Sequence, residues 1–356
     1  MLQSLKIENF RCFPSFELQN LGRINLLVGT NNSGKTSILE AIQLLCSRAN
    51  LGILREVMMN RGEYLLNEER KESYELVLRH LFYGHETKIG SQFSICGTND
   101  GESECLAISI EETPQRNLFE DLREFVLRID WLGKEKESAT LPLSANTDLP
   151  INYLRRFHRE LKNPEVRTQF VTSASLTTKT MIDLFDRVVL QPEEELITKA
   201  LQTIEPTIER LASVGSERYR LSGSRSGFVV RLADSNQRIP IGSMGDGIWR
   251  MLGLTLAIVN AKDGVLLVDE IDTGLHFSAM SDMWKLIWET SKKLNVQVFA
   301  TTHNSDCWTS LAAIASSESK GEDSITIQRI ERGKSGSVVF NERQIVIAAD
   351  RGIEVR

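Results

Sequence analysis

Eight residues, Gly29-Thr30-Asn31-Asn32-Ser33-Gly34-Lys35-Thr36, satisfy G-x-x-x-x-G-K-[ST] at every fixed position. The chemistry of that spacing is phosphate binding. Glycines let successive backbone N–H groups turn inward around phosphate oxygens, and the start of the following helix adds its partial positive charge. Asn31, Asn32, Ser33 and Gly34 form the loop, Lys35 reaches the β and γ phosphates, the Thr36 hydroxyl is the Mg²⁺ ligand, and Ser37 completes the ATP-binding set.

A second group of candidates closes the run GVLLVDEID. A buried strand that ends in two acids delivers both carboxylates to one sheet edge. There Asp269 would hold Mg²⁺, directly or through water, and Glu270 would orient and deprotonate an attacking water, work worth about 10²–10⁴ in rate for a general base. His303 follows another apolar run, VQVFA in VQVFATTH, and emerges at the same edge. Its imidazole is either a structural group or a hydrogen-bond partner of the γ-phosphate or the water. A third stretch, PIGSMGDGIW, crowds Ser243, Gly245 and Gly247 into the turn before an apolar helix, so some group must come close to that backbone.

The elements around these residues have the periods such sites need. RINLLVG is apolar enough for a buried strand, and SILEAIQLLC puts Ile38, Ile42 and Leu45 on one helical face, so the phosphate pattern lies between strand and helix. LKIENFRCF and FELQN alternate as strands, as do SQFSICGT and ECLAISIEE. NYLRRFHRELK, TMIDLFDRVVL and EEELITKALQTI read as helices, the last stopped by Pro206, and FVVRLAD and ITIQRIERG read as strands near the other end. Strands alternating with helices predict an α/β fold of P-loop NTPase type, with a mixed sheet core and a helical lid. Three segments follow: 1–145 with the phosphate loop, a helical insertion over 146–215, and 216–356 with the remaining motifs.

With 356 residues, 41% of them hydrophobic and 25% charged, the chain is ordinary for globular protein. A net charge of −6 gives no electrostatic support to DNA binding, although a local basic patch is compatible with it. Cys12, Cys46, Cys96, Cys105 and Cys307 stand apart without a C-x-x-C pair, which suggests neither a zinc site nor a disulfide framework. No signal core or membrane-length apolar run is present, so a cytoplasmic protein is expected.

Together these motifs resemble an ATP-binding-cassette ATPase of the RecF, SMC and OLD type. The resemblance rests on LKIENFRCF, GTNNSGKTS, the signature-like GSMGDG, the Walker B run LLVDEIDTGLH and the switch histidine of ATTH, in the family's order, over about residues 1–47 and 228–309. It implies that the signature of one subunit binds the γ-phosphate of ATP held by another, which assigns Ser243, Gly245 and Gly247 to a partner's nucleotide in an ATP-sandwich homodimer. Asp246 departs from the usual Glu or Gln. The segment between the Walker motifs has no heptad pattern for long arms, so a compact RecF-like lid is implied. No nuclease domain is expected after His303, and Asp269 and Asp272 are expected to belong to Walker B and the loop after it; a separately encoded TOPRIM-type effector, in anti-phage defence or DNA repair, is the implied partner. Gln92 and His80 are the candidates for a Q-loop, and Arg11 is either a phosphate contact or a structural arginine. An ATP-dependent scaffold with little turnover and a soluble transporter motor are the alternative readings.

Overall fold

The computed structural model describes residues 1–48, 50–66, 74–99, 101–114, 123–134, 136–144, 146–152, 168–214, 225, 227–233, 237–317 and 324–356. The chain divides into two compact units. One comprises Met1–Leu21, Asn32–Val166 and Ile330–Val338; the other comprises Gly22–Asn31, Arg167–Arg329 and Val339–Arg356.

In the first unit the alternating stretches pair into an antiparallel sheet of six strands, in the order Phe13–Leu18, Leu2–Phe10, Gln92–Asn99, Glu102–Pro114, Arg123–Leu132 and Lys136–Pro142. Period two puts Leu5, Ile7, Phe93, Ile95, Leu106, Ile108, Leu127 and Ile129 on the buried face. The helix Lys35–Cys46 packs on the two central strands. A side chain at Gly97 would lie 2.5 Å from Leu2 Cδ1 and 2.9 Å from Leu45 Cδ2, so the glycine lets the helix approach.

Charged groups then fix that helix. Glu40, buried within it, pairs with Arg11 Nε at 3.0 Å and with Arg61 Nε at 2.6 Å, while Arg11 Nη1 also reaches Glu63. Burial pushes the Glu40 carboxyl above its ordinary range, against the pull of the two arginines. Arg11 is therefore spent on this cluster and on the His80 carbonyl at 3.1 Å, which gives it the structural role of its two readings.

One expectation is overturned here. Cys96 and Cys105 face each other across adjacent antiparallel strands and are joined by a disulfide. Spacing along the chain does not reveal such a pair, because only the register of the hairpin sets it.

The second unit is built on parallel strands in the order Thr168–Val171, Val265–Val268, Gln297–Thr301, Ile24–Val28 and Ile325–Arg329. Strands buried on both faces read as continuous apolar runs, as INLLV and QVFAT do. Around them lie the helices Asp246–Asn260, Phe277–Leu294 and Ser305–Ser317, with a core that includes Trp284, Trp288, Met251, Leu252 and Phe228. The segment expected to be helical holds the helices Thr178–Val188 and Glu194–Gln202, but also the strands Thr168–Val171 and Ile208–Ser213. A strand of four residues is too short to show a period of its own, so its pairing with Val265–Val268 decides it. NYLRRFHRELK lies outside the described residues apart from its first member.

Candidate functional site

Ligands of parallel sheets collect at the carboxyl ends of the strands. At that edge of the second unit, Val28 leads into Gly29, Val171 into Thr172, Val268 into Asp269, and Thr301 into Thr302 and His303.

The phosphate loop starts there, and the division between the units falls within it, after Asn31. Its backbone has the special conformations the motif demands: φ is 143° at Gly29, 60° at Asn32 and 99° at Gly34. Gly34 is required twice over, since a side chain there would lie 2.3 Å from Phe13 Cζ and 2.8 Å from Cys12 Sγ. The helix from Lys35 has no side-chain cap and no acid in its first turn, which suits an anion at its N-terminus. Asn31 and Asn32 are exposed, Lys35 and Thr36 are partly so, and Ser33 and Ser37 are buried.

Asp269 and Glu270 are joined through one hydroxyl. Thr301 Oγ1 donates to Asp269 Oδ1 at 2.7 Å and accepts the Glu270 N–H at 2.8 Å. Glu270 has a φ of 47°, left-handed backbone that costs a residue with a side chain about 1–2 kcal/mol. Its carboxylate accepts from Thr273 Oγ1 at 3.3 Å and lies 3.9 Å from His303 Nδ1. Asp272 accepts from Thr302 Oγ1 at 2.7 Å, which keeps it in the loop after Walker B. Arg356 donates to the His303 carbonyl, and Glu354 holds that guanidinium at 2.9 and 3.0 Å.

Ser243, Gly245 and Gly247 form a separate turn. Ser243 is exposed and donates to its own Pro240 carbonyl at 2.6 Å. Gly245 caps the helix Asp246–Asn260 with a φ of 97°, and a side chain there would meet none of the described residues within 4 Å. Asp246 pairs with Arg225. At Gly247 an added side chain would lie 3.5 Å from the Gly274 carbonyl, an ordinary contact.

The sequence-derived residues are thus placed in two groups within the second unit, Asp269, Glu270 and His303 in one and the signature turn in the other. Gln92 lies at the start of its antiparallel strand, and His80 faces His85, with 3.4 Å between their Nδ1 atoms. Sequence reasoning missed Thr301, Thr302 and Arg250. Arg250 alone had a signal, a charge amid the apolar helix GIWRMLGLTLAIV. Among the described residues, no cluster of three or more His, Cys, Asp or Glu is placed to hold a metal. A single carboxylate nevertheless suits Mg²⁺, which keeps waters and takes its other ligands from substrate phosphates.

Comparison with known proteins places the chain in a family of ATPases. The family model described as "AAA ATPase domain" matches residues 1–210 and 160–307, and the chain belongs to that family. It is a P-loop ATPase, and RecF proteins are among those it resembles. An ATP/GTP phosphatase of Helicobacter pylori is 23% identical over 345 residues, 86% of each chain. RecF, a DNA replication and repair protein, is 22% identical in Cytophaga hutchinsonii over 228 residues, 62% of this chain and 56% of that one. Among solved structures, an SmcHead bound to the C-winged helix domain of ScpA aligns with a TM-score of 0.49 at 14% identity, covering 96% of this chain and 98% of that one. None of the helices in the described residues is long and apolar enough to cross a membrane.

Proposed function

We propose that the chain hydrolyses ATP in a Mg²⁺-dependent reaction at the edge where Gly29, Asp269, Glu270 and His303 emerge, and that two copies close around two nucleotides to do so. The observation that carries this reading is the arrival of Asp269, Glu270 and His303 at the sheet edge from which the phosphate loop departs. Asn31, Asn32, Ser33, Gly34, Lys35 and Ser37 would line the phosphates. Asp269 would hold Mg²⁺ at this edge, which supplies charge neutralisation on the phosphate oxygens when bound, and Thr36 is the phosphate loop's own candidate ligand. Glu270 orients the attacking water and takes its proton. His303, 3.9 Å from that carboxylate, hydrogen-bonds the water or the γ-phosphate.

The dimer takes its support from the signature turn. Ser243 is exposed, the turn ends on a helix N-terminus that no side chain caps, and among the described residues no atom lies within 4 Å of where a Gly245 side chain would stand. That arrangement suits a phosphate brought by a second copy. We further propose that the dimer cycle controls a separately encoded effector in DNA maintenance or anti-phage defence; the names of the RecF relatives favour the former.

Phosphate release by wild type, Lys35→Ala and Glu270→Gln proteins, with Mg²⁺ and with chelator, tests the reading. Lys35→Ala should lose ATP binding, since it deletes charge-assisted contacts worth about 1.5–3 kcal/mol each. Glu270→Gln should bind ATP and not turn it over; turnover at the wild-type rate would remove Glu270 from the reaction. Tight binding with negligible wild-type turnover would instead favour an ATP-dependent scaffold.

A further inference from the structure

Arg250 is 3% exposed, yet no carboxylate accepts from it among the bonds described. Its guanidinium grips three backbone carbonyls: Nη1 donates to Thr172 O at 2.7 Å, and Nη2 donates to Asp269 O at 3.0 Å and Glu270 O at 2.8 Å. A buried charge is costly unless its protons are accepted, so a lone arginine in an apolar helix is kept for what it holds. Burial pulls its pKa down to about 10, opposed by Asp272, Asp269 and Glu270, and it remains protonated at neutral pH.

What it holds is the turn that aims the proposed catalytic base. The peptide before Glu270 is fixed by Arg250 on the Asp269 carbonyl and by Thr301 on the Glu270 N–H. The peptide after it is fixed by Arg250 and by the Thr273 N–H, at 3.0 Å, on the Glu270 carbonyl. The third carbonyl, Thr172 O, directly follows the neighbouring strand and also accepts the Ser175 N–H at 2.9 Å. One turn along the helix, a side chain at Gly253 would lie 2.8 Å from Ser175 Oγ, so the glycine lets the helix lie close enough for the arginine to reach.

Arg250 stands on the helix that begins at the signature turn. The same helix meets the Walker B loop a second time, where a side chain on Gly274 would lie 3.6 Å from Asp246 Cβ. We infer that Arg250 is a positioning residue: it sets the left-handed Glu270 turn from the signature helix and couples the signature, which receives a partner's nucleotide, to the carboxylates that act on the chain's own. The inference rests on the ATPase reading above. It makes the two sites of a dimer interdependent through a neutral backbone grip, without a salt bridge.

The test uses the full chain with Arg250→Lys and Arg250→Gln. Lysine keeps the charge but, as a compact point charge, cannot span three carbonyls; glutamine keeps a donor without charge. Dissociation constants for a non-hydrolysable ATP analogue, kcat and the Hill coefficient in ATP are measured, with far-UV circular dichroism as the control for folding. Both variants should bind the analogue within about threefold of wild type, lose about 10²-fold in kcat as a misplaced base does, and lose any cooperativity in ATP. An Arg250→Lys protein with wild-type kcat and Hill coefficient overturns the proposal, as does a pair of variants that weaken analogue binding with kcat intact. If neither variant keeps the wild-type spectrum, Arg250 is a core residue and the proposal falls. Failure of the parent reading is distinct: there Glu270→Gln itself would turn over ATP, whereas failure of this inference leaves the Glu270 dependence in place.

Discussion

The Thr301 hydroxyl donates to Asp269 at 2.7 Å while accepting the N–H of Glu270 at 2.8 Å, so the strand that leads to His303 sets both acids of the neighbouring strand. Thr301 is fully buried. Thr301→Val keeps the shape and strands the Glu270 N–H, at a cost of about 1–3 kcal/mol. Thermal unfolding should shift down by several degrees, and kcat should fall more than ATP affinity does. An unchanged melting temperature and kcat would show that the hydroxyl positions neither acid.

Two glycines with left-handed backbone should respond differently to alanine. At Gly34 the added carbon collides with Phe13 and Cys12, whereas at Gly245 it meets none of the described residues. Gly34→Ala should therefore lose ATP binding altogether. Gly245→Ala carries only a backbone cost of about 1–2 kcal/mol in the monomer, and should bind ATP while losing ATP-dependent association. Calorimetric titration with ATP and light scattering separate the two; equal loss of ATP binding in both would contradict the placement of Gly245.

Cys12 offers a chemical probe of the phosphate loop. It is exposed and close to Gly34, while Cys307 is buried and burial pushes the Cys46 thiol up to about 12. Burial also raises the Cys12 thiol, and because the thiolate is the nucleophile, its alkylation should keep accelerating above pH 9. Maleimide mapping at pH 8 should label Cys12 first, leave Cys46 and Cys307 untouched, and slow at Cys12 when ATP is added. Labelling indifferent to ATP would separate this thiol from the nucleotide.

The Cys96–Cys105 link closes a short loop, nine residues apart in sequence. In the chain-entropy view a loop of this size stabilises by about 2–3 kcal/mol. Non-reducing peptide maps of oxidised protein should show the cross-linked peptides, and Cys96→Ser should lower the melting temperature only when compared without reductant.

Legibility followed the range of the interactions. The phosphate loop was readable because its demands are local: glycines at 29 and 34, a lysine and a hydroxyl at fixed spacing. Asp269, Glu270 and His303 were readable because apolar runs mark buried strands and the acids and histidine mark their ends. Arg250 was missed since its acceptors are carbonyls 19, 20 and 78 positions away, and carbonyls leave no mark on composition. Thr301 and Thr302 leave no local mark in the sequence; only the pairing of two parallel strands brings them to Asp269 and Asp272. The strand Thr168–Val171 was hidden for the same reason, as its identity comes from its neighbour.

The central claim, a composite site made by two copies, is tested most directly by mixing two inactive variants. A Lys35→Ala chain cannot hold ATP but offers an intact signature; a Ser243→Arg chain holds ATP but offers a blocked one. Phosphate release is measured for each alone and for the equimolar mixture. The account predicts two silent proteins and a mixture that regains turnover through the one site that pairs a good loop with a good signature. A Ser243→Arg protein active on its own, or one whose monomer no longer binds ATP, would contradict it and assign the glycine-rich turn to its own chain.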